Sequence, residues 1–191
     1  MLNRRKFLTN ATATLGTVGL AGTTNLMASS PLVSSLEAPA GPRQHAGGAM
    51  SPDEFRQALV GPIQSQPTPI KANYEVDYEG VRNVVNRGLR YGVKIFELTA
   101  GNSQYYSLSY EEIKKVTRTL AEAVEDRGIV IAATGSWWTE RAVDYARYAE
   151  SVGATSLQVL LPTPSGDEDS LVRHFESIAK ATRLPLVLHG Q

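Results

Sequence analysis

From residue 60 onward, short apolar runs alternate with amphipathic stretches, and this alternation restricts the chain more than any other feature. The runs centre near residues 63, 96, 131, 159 and 187, a repeat of 28 to 35 residues. They are near-continuous blocks rather than alternating patterns, as in Ile129-Val130-Ile131-Ala132-Ala133. Strands of that kind are buried on both faces, and strands joined by helices run parallel. The expected strands are residues 61–65, 93–98, 129–133, 156–161 and 185–189.

Helix signals fill the gaps. Residues 77–91 carry Val81, Val84, Val85 and Leu89 at helical spacing, with Gly92 as a stop. Ser109, with Glu112 three residues on, makes a capping box before Ile113, Val116, Leu120 and Val124. Thr139 is placed to cap a helix that runs to Val152 and ends at Gly153. Residues 167–182 form the next, with Leu171, Phe175 and Ile178 on its apolar face. Ser51-Pro52-Asp53-Glu54 marks an earlier helix start. Two closures fit this pattern. Five strands complete a doubly wound open sheet, whereas a (β/α)8 barrel takes ~250 residues, so this chain would supply only part of one. Periodicity favours neither.

Composition narrows the functional classes. The 191 residues carry 19 basic and 19 acidic groups, a formal net charge of zero, so no phosphate-binding excess of Lys and Arg points to nucleic acid. Cysteine is absent, which excludes disulfides, thiolate metal sites and cysteine nucleophiles. The three histidines, His45, His174 and His189, lie far apart in sequence, so no metal site is expected.

The first forty residues read as an address. Arg4-Arg5-Lys6-Phe7-Leu8 is followed by small, weakly apolar residues from Ala11 to Ala21. That run is far short of the ~20 residues needed to span a bilayer. A basic head, a short apolar middle and small residues at the end read as a secretory signal, and the paired arginines point to the twin-arginine route. Cleavage is expected after Ala28 or after Ala40, the latter within Ala38-Pro39-Ala40. The expectation is a signal over 1–40, a linker over 41–50, a folded domain over 51–191, a periplasmic or otherwise exported location, and no membrane association once the signal is removed. Without Arg4, Arg5, Lys6 and Glu37 the net charge becomes −2.

In parallel α/β folds, sites gather at the carboxyl ends of the strands. The richest such segment is Ala100-Gly101-Asn102-Ser103, where backbone N–H groups and two polar side chains can meet an anion such as a carboxylate. It lacks the glycine spacing of a nucleotide-binding loop. Thr134 and His189 end two further strands on the same side. A tight turn with a solvated Asn102 is the alternative reading.

Several short motifs occur together and in order: Thr68-Pro69-Ile70, Val76-Asp77-Tyr78-Glu79, Ala100-Gly101-Asn102-Ser103-Gln104 leading to Ser107-Leu108-Ser109-Tyr110-Glu111-Glu112, Ala133-Thr134-Gly135-Ser136, and Arg173-His174-Phe175 followed by Ile178-Ala179 and Leu184-Pro185. Over about residues 60–191 this set resembles the dihydrodipicolinate synthase/N-acetylneuraminate lyase family. The resemblance implies a (β/α)8 TIM barrel, here a partial one of about five βα units with outer helices. It also implies lyase chemistry on pyruvate or another 2-oxo acid through a lysine Schiff base, without a further cofactor. In that family a Gly-Thr-Thr-Gly-Glu turn binds the keto-acid carboxylate and a tyrosine shuttles protons. Here the turn reads Ala100-Gly101-Asn102-Ser103-Gln104. Asn102 can still donate to a carboxylate, while Gly101 cannot relay a proton. The expected tyrosine falls near Pro164, and the Schiff-base lysine belongs on a sixth strand, past Gln191; Lys71 and Lys94 are misplaced for it. The candidate substrate-binding residues, from strand-end position and from the resemblance together, are Gly101, Asn102, Ser103, Thr134 and His189; the resemblance leaves no catalytic residue assigned and no Schiff-base activity in residues 1–191 alone. A non-catalytic exported carboxylate-binding protein and a gene fragment without function are the alternatives.

Four aromatic residues could contact a ligand: Trp137 and Trp138 by stacking, Tyr105 and Tyr106 by supplying a phenol. Each has packing as its alternative, and His174 reads as structural. A barrel of five strands leaves two open edges, so a homo-oligomer is expected, with Ile131, Ala133, Val159 and Leu161 facing inward.

Overall fold

Ser51 opens the first helix with a reciprocal pair of bonds. Its hydroxyl accepts from the Glu54 amide at 3.3 Å, and the Glu54 carboxylate accepts from the Ser51 amide at 2.8 Å. Pro52 follows at a position where an N–H would have no helical partner. In the computed structural model, which describes residues 50–189, this helix is α1, Pro52–Ala58. Then come β1 (Ile63–Ser65), α2 (Tyr78–Arg90), β2 (Ile95–Glu97), α3 (Tyr110–Val124), β3 (Ile129–Ala133), α4 (Thr139–Ser151), β4 (Ser156–Leu160), α5 (Glu168–Ala181) and β5 (Leu186–His189). Gly92 and Gly153, with φ of +82° and +89°, end α2 and α4 in a conformation that side chains resist.

All five strands are parallel, and each pairs with the next in sequence, in the order β1-β2-β3-β4-β5. A doubly wound sheet reverses its strand order at a switch point. No reversal occurs here. The winding is that of a barrel, and the five units are part of one.

The two faces of the sheet bury different partners. Phe96, Val130, Ala132, Leu157 and Val159 face outward and pack with Val85, Leu120, Tyr145, Ala146 and Ile178 of the helices. Ile95, Ile129 and Ile131 face the other way and pack with Met50, Phe55 and Val187. Phe55 of α1 therefore plugs the end of the barrel where the strands begin. Val159 was expected inward but lies against the helices; the inward residues of β4 are Ser156, Gln158 and Leu160, and Leu161 falls beyond the strand. Thr139 is a second correction. Trp138 holds the cap position of α4, and the Thr139 hydroxyl lies 3.0 Å from Nδ1 of buried His174. Tying two adjacent helices together replaced capping as its task.

Candidate functional site

The carboxyl ends of all five parallel strands lie on one side, and they form the mouth. The turn after β2 lies there and is closed by its own bonds. The amides of Ser103, Gln104 and Tyr105 donate to the carbonyls of Thr99, Gly101 and Ala100 at 3.0, 2.9 and 3.1 Å. The Asn102 amide donates to Thr99 Oγ1 at 3.2 Å. The turn thus consumes most of its own donors. The N–H groups of Ala100 and Gly101 take no partner among the described residues, and of those two residues Gly101 is exposed. Side-chain space beside Gly101 is open.

Asn102 reaches from this turn to β1, with Nδ2 donating to Ser65 Oγ at 2.9 Å. Ser65 Oγ is also 3.5 Å from Thr99 Oγ1. One Nδ2 hydrogen and the amide oxygen of Asn102 remain for a ligand.

Ser103 and Thr134, both fully buried, hold the mouth rather than line it. The Ser103 hydroxyl donates to the Gln66 carbonyl at 2.7 Å and accepts from the Thr99 amide at 3.0 Å. Its own carbonyl accepts from Thr68 Oγ1 at 2.8 Å. Thr134 accepts from the Leu160 amide at 3.0 Å and donates its own amide to the Gln158 carbonyl at 2.9 Å. His189 is exposed at the end of β5, opposite Leu160 in register.

Sequence reasoning passed over the polar residues inside the barrel. Glu97, on β2, accepts from Gln158 Nε2 of β4 at 2.9 Å. Partial burial raises the Glu97 carboxyl above its ordinary range, and the nearby His189 charge opposes that rise. Beneath Gln158 on the same face, the buried Ser156 hydroxyl has no hydrogen-bond partner among the described residues. The available signal was a polar residue at alternate positions of strands that are otherwise apolar.

The aromatic residues pack away from the mouth. Trp137 stacks on Tyr105 with centroids 6.0 Å apart and meets Tyr145 edge-on at 5.2 Å. The Tyr105 hydroxyl donates to the Ala133 carbonyl at 3.1 Å, 3.4 Å from the Tyr145 hydroxyl. Burial raises both phenols, Tyr145 to about 12. Tyr106 and Trp138 are exposed. Lys71 lies in the loop before α2 and Lys94 precedes β2, at the end opposite the mouth. Among the described residues no group of three His, Asp or Glu side chains could hold a metal ion, and no helix is long and apolar enough to cross a membrane.

Comparison with known proteins is consistent with this geometry. Residues 58–190 match the model of the dihydrodipicolinate synthetase family. The 4-hydroxy-tetrahydrodipicolinate synthase of Methanocaldococcus jannaschii is 34% identical over 124 residues, covering 64% of this chain and 43% of that protein. The enzyme of the same name from Methanococcus maripaludis is 37% identical over 126 residues, with the same coverage. Among solved structures, dihydrodipicolinate synthase from Aquifex aeolicus superposes with a TM-score of 0.65 at 28% identity, covering 69% of this chain and 45% of that one. An E. coli K12 prophage protein of the dihydrodipicolinic acid synthase family, solved in complex with pyruvate, shares the fold with a TM-score of 0.66 at 24% identity, covering 70% and 45%. The chain thus spans less than half the length of these relatives.

Proposed function

The chain belongs to the dihydrodipicolinate synthetase family, and from that premise we propose that it carries the carboxylate-holding part of a lyase site for pyruvate or another 2-oxo acid. The turn at residues 99–104 carries this reading. It presents the Gly101 N–H and the Asn102 carboxamide at the carboxyl end of β2, and Ser103 and Thr134 fix the backbone around them. A carboxylate accepts two such donors at once. His189, across the mouth, adds a donor or a positive charge.

Residues 1–191 alone do not form a Schiff base in this proposal. The lysines among residues 50–189 are Lys71, Lys94, Lys114, Lys115 and Lys180, and none lies within a strand. Incubation with pyruvate and borohydride should therefore add no covalent mass, while pyruvate perturbs the resonances of Gly101 and Asn102. Trapping on any lysine would overturn the first statement. Unperturbed resonances at millimolar pyruvate, or binding that Asn102→Ala leaves unchanged, would overturn the second.

We also propose that residues 1–40 direct export by the twin-arginine route, supported by Arg4-Arg5 ahead of the short apolar run, and that the chain associates with itself. Support for association comes from Ile63 on β1 and Leu188 on β5, both at least half exposed on the outermost described strands.

A further inference from the structure

The strand register sorts the inward residues into layers. Glu97 pairs with Ile131, Ala133 with Gln158, Gln158 with Val187 and Leu160 with His189. In a barrel, residues at one height come from alternate strands. Advancing one residue per strand places Glu97 and Gln158 at the same height, and their 2.9 Å hydrogen bond across β3 agrees with that sense of tilt. The next layer towards the mouth is then Ser65, Ala133 and His189. Glu97 therefore lies just beneath the hydroxyl that Asn102 grips, with only the methyl of Ala133 above it on β3.

The neighbours of this carboxyl group on β1 and β3 are Ser65, Ile131 and Ala133, and His189, on β5, is the titratable group among the described residues whose charge reaches it. Ser65 and Thr99 are committed to each other and to Asn102, and Tyr105 to Ala133 on the far side of the sheet; the Ser156 hydroxyl, unpartnered among the described residues, lies deeper, beneath Gln158.

We propose that Glu97, held by Gln158 and faced by His189, is the proton acceptor of this site, acting on the carbon next to the ketone of a 2-oxo acid whose carboxylate rests on the Gly101–Asn102 turn; this rests on the function proposed above. The Glu97 carboxylate takes a proton from C3. The electrons of the broken C–H bond become the C2–C3 double bond, and the ketone oxygen takes a proton from the His189 imidazolium. The products are the enol, a neutral Glu97 and a neutral His189. Neutral Glu97 exchanges its proton with solvent and returns a solvent-derived one to C3, while the enol hydroxyl gives its proton back to His189, which restores the keto acid, the carboxylate and the imidazolium. A base near the working pH suits such a transfer, and burial already moves Glu97 in that direction. Gln158 is a positioning residue, since it acts only through Glu97.

The test is exchange of the pyruvate methyl protons in deuterium oxide, followed by proton NMR with the 191-residue chain. The wild type should exchange them faster than buffer, with an acid limb above that of an ordinary glutamate. Glu97→Gln should lower the rate at least tenfold while pyruvate still binds, as measured by titration of the same sample, which also reports that the variant is folded. Gln158→Leu should move the acid limb to higher pH, because the carboxylate loses a donor. Bound pyruvate that exchanges no faster than in buffer, or equally fast with Glu97→Gln, would overturn the proposal. If the wild type binds no pyruvate, the carboxylate-holding turn is what fails, and the proton acceptor falls with it.

Discussion

Replacing Ser103 by alanine removes one oxygen that serves two backbone groups. In the native chain its hydroxyl donates to the Gln66 carbonyl at 2.7 Å and accepts from the Thr99 amide at 3.0 Å. Ser103 and Gln66 are fully buried, so water cannot readily take the place of the hydroxyl. A buried group left without its partner costs about 1–3 kcal/mol. Two such groups, with some relaxation of the turn, give an expected loss of roughly 2–4 kcal/mol, a large fraction of a typical domain stability of ~5–15 kcal/mol. The assay is equilibrium urea unfolding at fixed chain concentration. Trp137 fluorescence is a suitable probe, since that ring is packed on Tyr105 and Tyr145. With a slope of roughly 1–3 kcal/mol per molar urea, the midpoint should fall by about 1–2 M. Pyruvate binding should weaken as well, because Thr99 and the turn lose their tie to the segment after β1. A midpoint within about 0.2 M of the wild type would refute the strut role given to Ser103.

Replacing Arg4 and Arg5 together by lysine should leave a reporter fusion in the cytoplasm, and unchanged export of that double variant would remove the twin-arginine proposal. Residues 41–191, run on size-exclusion chromatography with light scattering at micromolar concentration, should not behave as a stable monomer; a cooperative, monodisperse monomer would count against self-association. Phe55→Ala should destabilise the domain by about 3–5 kcal/mol, the usual cost of emptying an aromatic site, measured by thermal or urea unfolding; a loss below ~1 kcal/mol would show that α1 is not a plug.

The local elements were legible because each has its own signal. The helix start at Ser51, the capping box at Ser109 and the glycine stops at Gly92 and Gly153 all occur where the sequence puts them. The β-branched run at residues 129–133 is β3 to the residue. What sequence could not show was which residues of each strand face inward. A strand covered on both sides carries apolar residues on both faces, so it has no alternation to read. That is why Val159 was assigned to the wrong face; the polar residues Glu97, Ser156 and Gln158 were the one mark of the inward face, and they went unnoticed. Periodicity left open sheet and barrel undecided for a related reason, since equal repeat lengths serve both; the family resemblance pointed to the barrel, and the strand order shows it. At the site, the turn was found but not its division of labour. Small hydroxyl residues such as Ser103 and Thr134 suit a ligand or a backbone group equally well, and burial alone decided for the backbone.

The strand order has a consequence for how such a chain can be assembled and inherited. Because each strand pairs only with its neighbours in sequence, every βα unit is wired to the one before and the one after, and to few others. Each strand pairing closes a loop of 25 to 34 residues, and none spans the whole domain. Growth can therefore proceed along the chain as it is synthesised, unit upon unit, with Phe55 waiting from the outset for the isoleucines that will enclose it. The same wiring makes the unit a natural quantum of duplication or exchange, since adding one at an edge rewires nothing already built. The turn at residues 99–104, Glu97 and Gln158 all belong to units that are already neighbours or next neighbours. A binding mouth of this design is thus a property of consecutive sequence.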